Sequence, residues 1–209
     1  MGCWRPESEG REEGVGRFTL YPNATARVVC RFADEGDPDR ADLCTLTGTP
    51  GDDILRGTRG DDIICGLGGN DRLFGQGGND ELRGDDGNDQ LNGSDGNDIL
   101  IAGDGEDVLK GDDGNDELSG GTGRDRLSGG DRQDVLHGDD GNDDLYGNNG
   151  NDQLFGDTGQ DRLYGDSGAD QLYGSAGNDA LNGGLANDEC NGGADTDTGS
   201  ACEVLIGLP

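Results

Sequence analysis

From Leu46 to Thr198 the chain keeps one nine-residue phase without insertion or deletion. Seventeen units of the form L-x-G-x-x-G-x-D-x follow one another, beginning LTGTPGDDI and LRGTRGDDI. The first residue is apolar in every unit, fifteen Leu with Ile64 and Cys190, and the eighth is always Asp. The third is Gly in sixteen units, with Ala102 the exception. The sixth is Gly in fourteen, with Arg132, Ala186 and Asp195 the exceptions. Repetition this regular stacks its units into a solenoid. Composition alone points the other way. With 29% hydrophobic residues, 44 Gly and a net charge of −31, the chain has the profile of a disordered segment. Disorder, however, has no use for a phase held over 153 residues.

One unit reads directly as structure. Its apolar residue sits between variable, mostly polar ones, as in Glu81-Leu82-Arg83 or Gln90-Leu91-Asn92. One side chain in and two out is a three-residue strand. The next six positions, such as Gly84-Asp85-Asp86-Gly87-Asn88-Asp89, are turn chemistry. Two units make a coil of eighteen residues, so the fold class is an all-β solenoid of about eight and a half coils. Coils about 4.8 Å apart give a rod of roughly 40 Å, with the two Leu columns face to face.

That stacking sets a problem of charge. Same-parity residues such as Asp71, Asp89 and Asp107 recur once per coil. Carboxylates ~5 Å apart repel by roughly 1 kcal/mol even in water, and more in a partly desolvated turn. The core is too thin to absorb this along a whole rod. A hard divalent cation would both neutralise the carboxylates and tie the coils together. The turns offer only oxygen ligands, a set that suits calcium better than the strictly octahedral magnesium. The same acidity argues against nucleic acid and anionic membranes as partners. No stretch reaches the ~18 apolar residues of a membrane span, and the first twenty residues lack the apolar centre of a signal peptide.

Units such as Gly120-Gly121-Thr122-Gly123-Arg124-Asp125-Arg126-Leu127 resemble the RTX, or haemolysin-type, calcium-binding nonapeptide G-G-x-G-x-D-x-U-x. The resemblance covers residues 46–198 and implies a parallel β-roll with calcium between neighbouring turns on each edge. It implies as metal ligands Asp53, Asp62, Asp71, Asp80, Asp89, Asp98, Asp107, Asp116, Asp125, Asp134, Asp143, Asp152, Asp161, Asp170, Asp179, Asp188 and Asp197. The carbonyls of the turn glycines would complete the shell: Gly69, Gly78, Gly87, Gly96, Gly105, Gly114, Gly123, Gly141, Gly150, Gly159, Gly168 and Gly177. Aspartates eighteen apart form fifteen same-edge pairs, hence up to about fifteen calcium ions. The family's second Gly is present only at Gly103, Gly121, Gly130, Gly184 and Gly193. The acids that often follow it (Asp86, Asp95, Asp104, Asp113, Asp131, Asp140) read as solvated turn tips. Arg132, in a turn-Gly position, predicts a distorted or weaker site. Ala186 and Asp195 suggest that the array fades toward its end.

An open solenoid needs caps. Three regions are therefore expected: an N-terminal cap over 1–45, the repeat array over 46–198 and a C-terminal cap over 199–209. The six cysteines lie only toward these ends, at Cys3, Cys30, Cys44, Cys65, Cys190 and Cys202. Six cysteines allow fifteen connectivities. Proximity favours Cys3–Cys30, Cys44–Cys65 and Cys190–Cys202. The start of the array also looks like that of secreted RTX-like proteins carrying a disulfide there. Even count and end placement predict small disulfide-stapled caps and an extracellular, oxidising location. In the N-terminal cap, Phe18–Tyr21 and Ala26–Phe32 read as short strands, and Asn23-Ala24-Thr25 matches a glycosylation sequon. The apolar segment Glu203–Leu208 would cover the last coil.

Tyr146, Phe155, Tyr164 and Tyr173 point outward in four consecutive units, Tyr146 over Tyr164 on one sheet and Phe155 over Tyr173 on the other. Ladder packing explains them better than a ligand platform. No Ser/His/Asp order, His cluster or phosphate loop is recognisable, and His137, the lone histidine, falls at an outward strand position, so no enzyme is expected. The expected function is a secreted calcium-binding β-roll that folds on calcium and serves as a structural or binding module. The alternative is an ice-binding, calcium-dependent β-solenoid. It rests on an Asn column (Asn70, Asn79, Asn88, Asn97, Asn115, Asn142, Asn151, Asn178, Asn187) and suffers from the near absence of a Thr companion.

Overall fold

The computed structural model describes residues 44–202 and the strand Val204–Ile206. The strands expected within 1–43 and the Cys3–Cys30 bridge lie outside the described residues. The chain winds into two parallel sheets. A twelve-stranded sheet runs from Leu46–Thr47 to Val204–Ile206, and a nine-stranded sheet from Ile54–Arg56 to Thr198–Ser200. Within the repeat array successive strands of a sheet pair at a register of eighteen residues, as in Leu55↔Leu73 and Leu136↔Leu154. The parallel β-solenoid is therefore in place, with the phase that the repeat dictates.

Every first-position residue from Leu55 to Cys190 is at most 2% exposed, and together with Ala102 they form one continuous core. The residues on either side of each Leu point outward, so the core is two columns wide and no more. Leu46 and Cys202 pack partly buried at its two ends.

Most strands are longer than the three residues expected. Arg72–Gly77 and Glu81–Asp86 span six residues, and Glu117–Gly123 spans seven. The ladder does not stop at the third-position Gly but carries on into the turn, pairing Gln76 with Ser94 and Gly77 with Asp95. Peptide groups that face a neighbouring coil keep pairing wherever the two coils run in step, whatever the local propensity. The fourth position bends back with positive φ even where Gly is replaced, as at Leu67 (φ 84), Gln76 (φ 85) and Asp85 (φ 71).

The ends follow the cysteine reading. Cys44–Cys65 and Cys190–Cys202 are bonded, with Cα atoms 5.9 Å apart in each pair. After the last nonapeptide the chain does not simply fold over the final coil. Val204–Ile206 adds a further parallel strand beside Glu189–Asn191. Tyr146 stacks on Tyr164, and Phe155 on Tyr173, each with ring centroids 5.0 Å apart. His137 extends the second ladder, its ring 4.6 Å from that of Phe155 and its Nδ1 3.1 Å from Asp157. Among the described residues no helix is long and apolar enough to cross a membrane.

Candidate metal centre

The eighth-position aspartates form two buried rows, one along each edge of the rod. Asp53 and all those from Asp71 to Asp197 are at most 4% exposed. In each of the fifteen same-edge pairs, Oδ1 of one aspartate accepts the backbone N–H of the aspartate one coil earlier. Asp71 N–H donates to Asp89 at 2.7 Å, and Asp89 N–H to Asp107 at 2.6 Å. Every such pair is thus brought together, with a carboxylate of one coil seated on the backbone of the other.

The second oxygen is another matter. From Asp71 through Asp179, and again at Asp197, Oδ2 is buried and has no hydrogen-bond partner. A buried carboxylate oxygen without a partner is expensive. Thirteen orphaned oxygens from Asp71 to Asp179, repeated in phase, are not an accident of packing. They fit a hard cation: oxygen donors only, anionic, lined up once per unit. Among the described residues no three His, Cys, Asp or Glu side chains gather in one place. Main-chain oxygens would have to complete any shell.

The glycines fix where the carboxylate lies. A Cβ on Gly66 would sit 2.2 Å from Asp71 Oδ2 and 2.8 Å from the carbonyl oxygen of Gly84 in the next coil. A Cβ on Gly114 would sit 2.7 Å from Asp116 Oδ1 and 1.6 Å from the Gly96 carbonyl. The two glycines of a unit therefore clamp its carboxylate from both sides. The sequence reading named only the sixth-position glycines. Third-position carbonyls of the next coil, such as those of Gly84, Gly93 and Ala102, stand beside the same glycine faces as the Oδ2 atoms. Their signal was present in the sixteen-fold recurrence of Gly at that position, which no strand needs.

The first two units differ. Asp53 Oδ2 accepts from Thr49 N–H at 2.6 Å and from Thr49 Oγ at 2.8 Å, and Asp62 is held likewise by Thr58. Hydroxyl and amide here occupy the oxygen that is left without a partner further along. Arg132 adopts the positive φ of its position (89), yet Asp134 keeps the same bond as its neighbours, to Asp116 N–H at 2.8 Å, and the same orphaned Oδ2. The expected distortion is absent from the backbone, because the ladder on both sides sets its path. Ala186 and Asp195 also take positive φ, 92 and 77, and the carboxylates after them, Asp188 and Asp197, stay buried.

The seventh-position column has its own work. Asn70 Oδ1 accepts Asn88 N–H at 2.9 Å, and Asn79 Oδ1 accepts Asn97 N–H at 2.9 Å. These side chains cap the turn of the following coil. The fifth-position acids Asp86, Asp95, Asp104, Asp113, Asp131 and Asp140 are all exposed, as solvated turn tips should be.

Burial pushes the row of carboxyls far above the ordinary value of 3.8: to about 7 at Asp107, Asp134, Asp143, Asp152 and Asp161. At Asp71, Asp80, Asp116, Asp125 and Asp170 it reaches about 6. The neighbouring N–H lowers each, and nearby acids raise it again by less than burial does. Repulsion between carboxylates, expected from the repeat to dominate, ranks behind desolvation.

The family model for the RTX calcium-binding nonapeptide repeat (4 copies) matches residues 45–73, 66–100, 92–127, 128–163 and 164–198. With the parallel β-solenoid and its eighteen-residue register, this places the chain in the RTX calcium-binding repeat family. It is a calcium-binding repeat protein of the β-roll type. No curated protein matches the sequence.

Proposed function

We propose that the chain is a secreted structural or binding module that is completed by calcium. The single observation behind this is the row of buried Oδ2 atoms left without partners along both edges. Bound there, calcium would supply positive charge to carboxylates that water cannot reach. The aspartates from Asp53 to Asp197 would hold it in same-edge pairs such as Asp89 and Asp107. The sixth-position carbonyls from Gly69 to Gly177 would contribute, joined by third-position carbonyls such as that of Gly84. Up to about fifteen ions follow from fifteen pairs. Asp53 and Asp62 are the weakest members of this set, because threonine already satisfies them. Two disulfides at the ends of the array support an oxidising, extracellular location. The test is circular dichroism of metal-stripped protein during a calcium titration, with magnesium as control. Cooperative gain of β signal with calcium alone is expected. A spectrum already fully ordered before calcium would refute the dependence.

The ice-binding reading loses its main support. The Asn column is engaged in capping turns and is not laid out as a free lattice. Thermal hysteresis in the calcium-loaded protein would restore it.

A further inference from the structure

The two sheets present different outer faces. On the nine-stranded sheet the positions flanking each Leu carry Arg56, Arg72, Lys110, Arg126 and Arg162 against one acid, Asp144, while Asp112 and Asp166 further along their strands bring two more carboxylates to that side, bonded to Asn92 and Asn148. On the twelve-stranded sheet they carry Arg83 against Glu81, Glu117 and Glu189. Nine Lys or Arg fall among the described residues, and five of these nine sit on one face of a molecule whose net charge is −31.

Four of these five cations are not spent on the chain's own acids. Arg56, Arg72, Lys110 and Arg126 are exposed, and among the described residues none is within ion-pair distance of a carboxylate. In a chain with 46 acidic residues that is a notable economy. Aromatic rings hold three of them instead. Arg56 lies 4.2 Å and Arg72 5.5 Å from the Phe74 ring centroid, and Arg126 lies 4.9 Å from that of Tyr146. A guanidinium resting on a ring is orientated but keeps its N–H donors for a partner. Arg162 alone of the five is used internally, holding Asp144 at 2.8 Å, with Arg124 at 3.4 Å from the same carboxylate.

We infer that this face of the nine-stranded sheet docks an extended acidic polysaccharide, with carboxylates on the cation row and sugar hydroxyls on the side chains between. Geometry favours that occupant. The cations fall on the first, second, fourth, fifth and seventh strands of the sheet, so their spacings alternate between one and two strand steps, about 5 and about 10 Å. A uronate polymer carries one carboxylate per sugar or per disaccharide, which are steps of that size. Gln90 lies exposed between the cations and supplies a neutral hydrogen-bonding group, while Asn92 and Ser128 are bonded to Asp112 and Asn148. The strip is only two outward columns wide, roughly 7 Å. Exposed acids such as Asp95, Asp113 and Asp131 follow directly at the turn. A single chain fits between those acids, whereas a nucleic-acid duplex would overlap them. Single strands bind by stacking bases on open aromatic faces. Here Tyr146 and Tyr164 stack on each other, and Arg56 covers Phe74.

The test uses the full chain, calcium-loaded and checked for its β signal. Size-defined hyaluronan oligosaccharides serve as the glucuronate probe, in isothermal titration at low and moderate salt. Dextran is the neutral control and a twenty-residue oligothymidylate the rival polyanion. Salt-weakened binding to hyaluronan is expected, with little to dextran or oligothymidylate. The variant Arg56→Gln/Arg72→Gln/Lys110→Gln/Arg126→Gln should keep the β signal and lose at least about tenfold in affinity. Glu117→Gln, on the opposite sheet, should stay within about twofold. Four results would overturn the inference: no binding by folded protein, undiminished binding by the quadruple variant, equal binding to dextran, or preference for oligothymidylate. A fifth is self-association that the quadruple variant abolishes, which would give the face to the acidic edge of a second copy.

Discussion

Glycines in this chain divide by what stands where a side chain would grow. A Cβ on Gly87, at φ 131, would lie 1.8 Å from the carbonyl oxygen of Gly69, a backbone atom locked in the coil below. A Cβ on Gly68, next to Gly69 in that lower coil, would meet nothing closer than 3.7 Å. Gly87→Ala should therefore cost on the order of 3 kcal/mol in the calcium-loaded protein, and Gly68→Ala less than about 1. Thermal melts of the two variants side by side read the difference, and equal losses would mean the coils can part to admit a methyl. The carboxylates allow a sharper experiment, because one substitution should act in opposite directions. Asp116 is buried, its Oδ1 occupied and its Oδ2 without a partner. Asp116→Asn removes a charge that calcium needs but that the metal-free fold must desolvate. The variant should melt lower than the parent in calcium and higher when stripped of metal near pH 8, by about 1–3 kcal/mol each way. A loss in both states would show that the carboxylate stabilises the rod through its hydrogen bond alone.

At the scale of the element, the nine-residue phase already specified strand pairing, since a coil of eighteen residues stacks in register only on the coils directly before and after it. The first-position column was legible as core for the same reason. What could not be read was how far each strand runs. Propensity ends it at the third-position Gly, while the ladder carries Arg72–Gly77 three residues further. Nor could the sequence say that Asp Oδ1 is bound to backbone and Oδ2 is not, because both oxygens are one letter. Cys44–Cys65 was reached by proximity, and its function is mechanical. It ties the chain two residues ahead of the first strand to the second coil, across a separation of 21 residues. Closing a loop of that length is worth about 3 kcal/mol through the unfolded chain. Cys44→Ala/Cys65→Ala should lose about that much in denaturant unfolding of the calcium-loaded protein. A negligible loss would mean that the first coil frays without affecting the rest.

Across the whole molecule the raised carboxyl values become a pH dependence with a definite sign. Asp107, Asp134, Asp143, Asp152 and Asp161 hold their protons to about 7 in the folded rod, against 3.8 for an ordinary aspartate. Between those values the folded state binds protons that the unfolded chain has released. Stability without metal therefore falls as pH rises through that window and levels off above it. Below the ordinary value both states are protonated and the penalty vanishes. With calcium the sign reverses, because the cation competes with the same protons and binds more tightly as they leave. Metal-stripped protein should thus gain β signal on passing from about pH 8 to about pH 5, while the calcium midpoint moves to higher concentration over the same interval. Circular dichroism at the two pH values, with and without calcium, decides it. If both arms moved the same way, burial of the carboxylates would not be what makes the rod wait for its metal, and the orphaned oxygens would need another explanation.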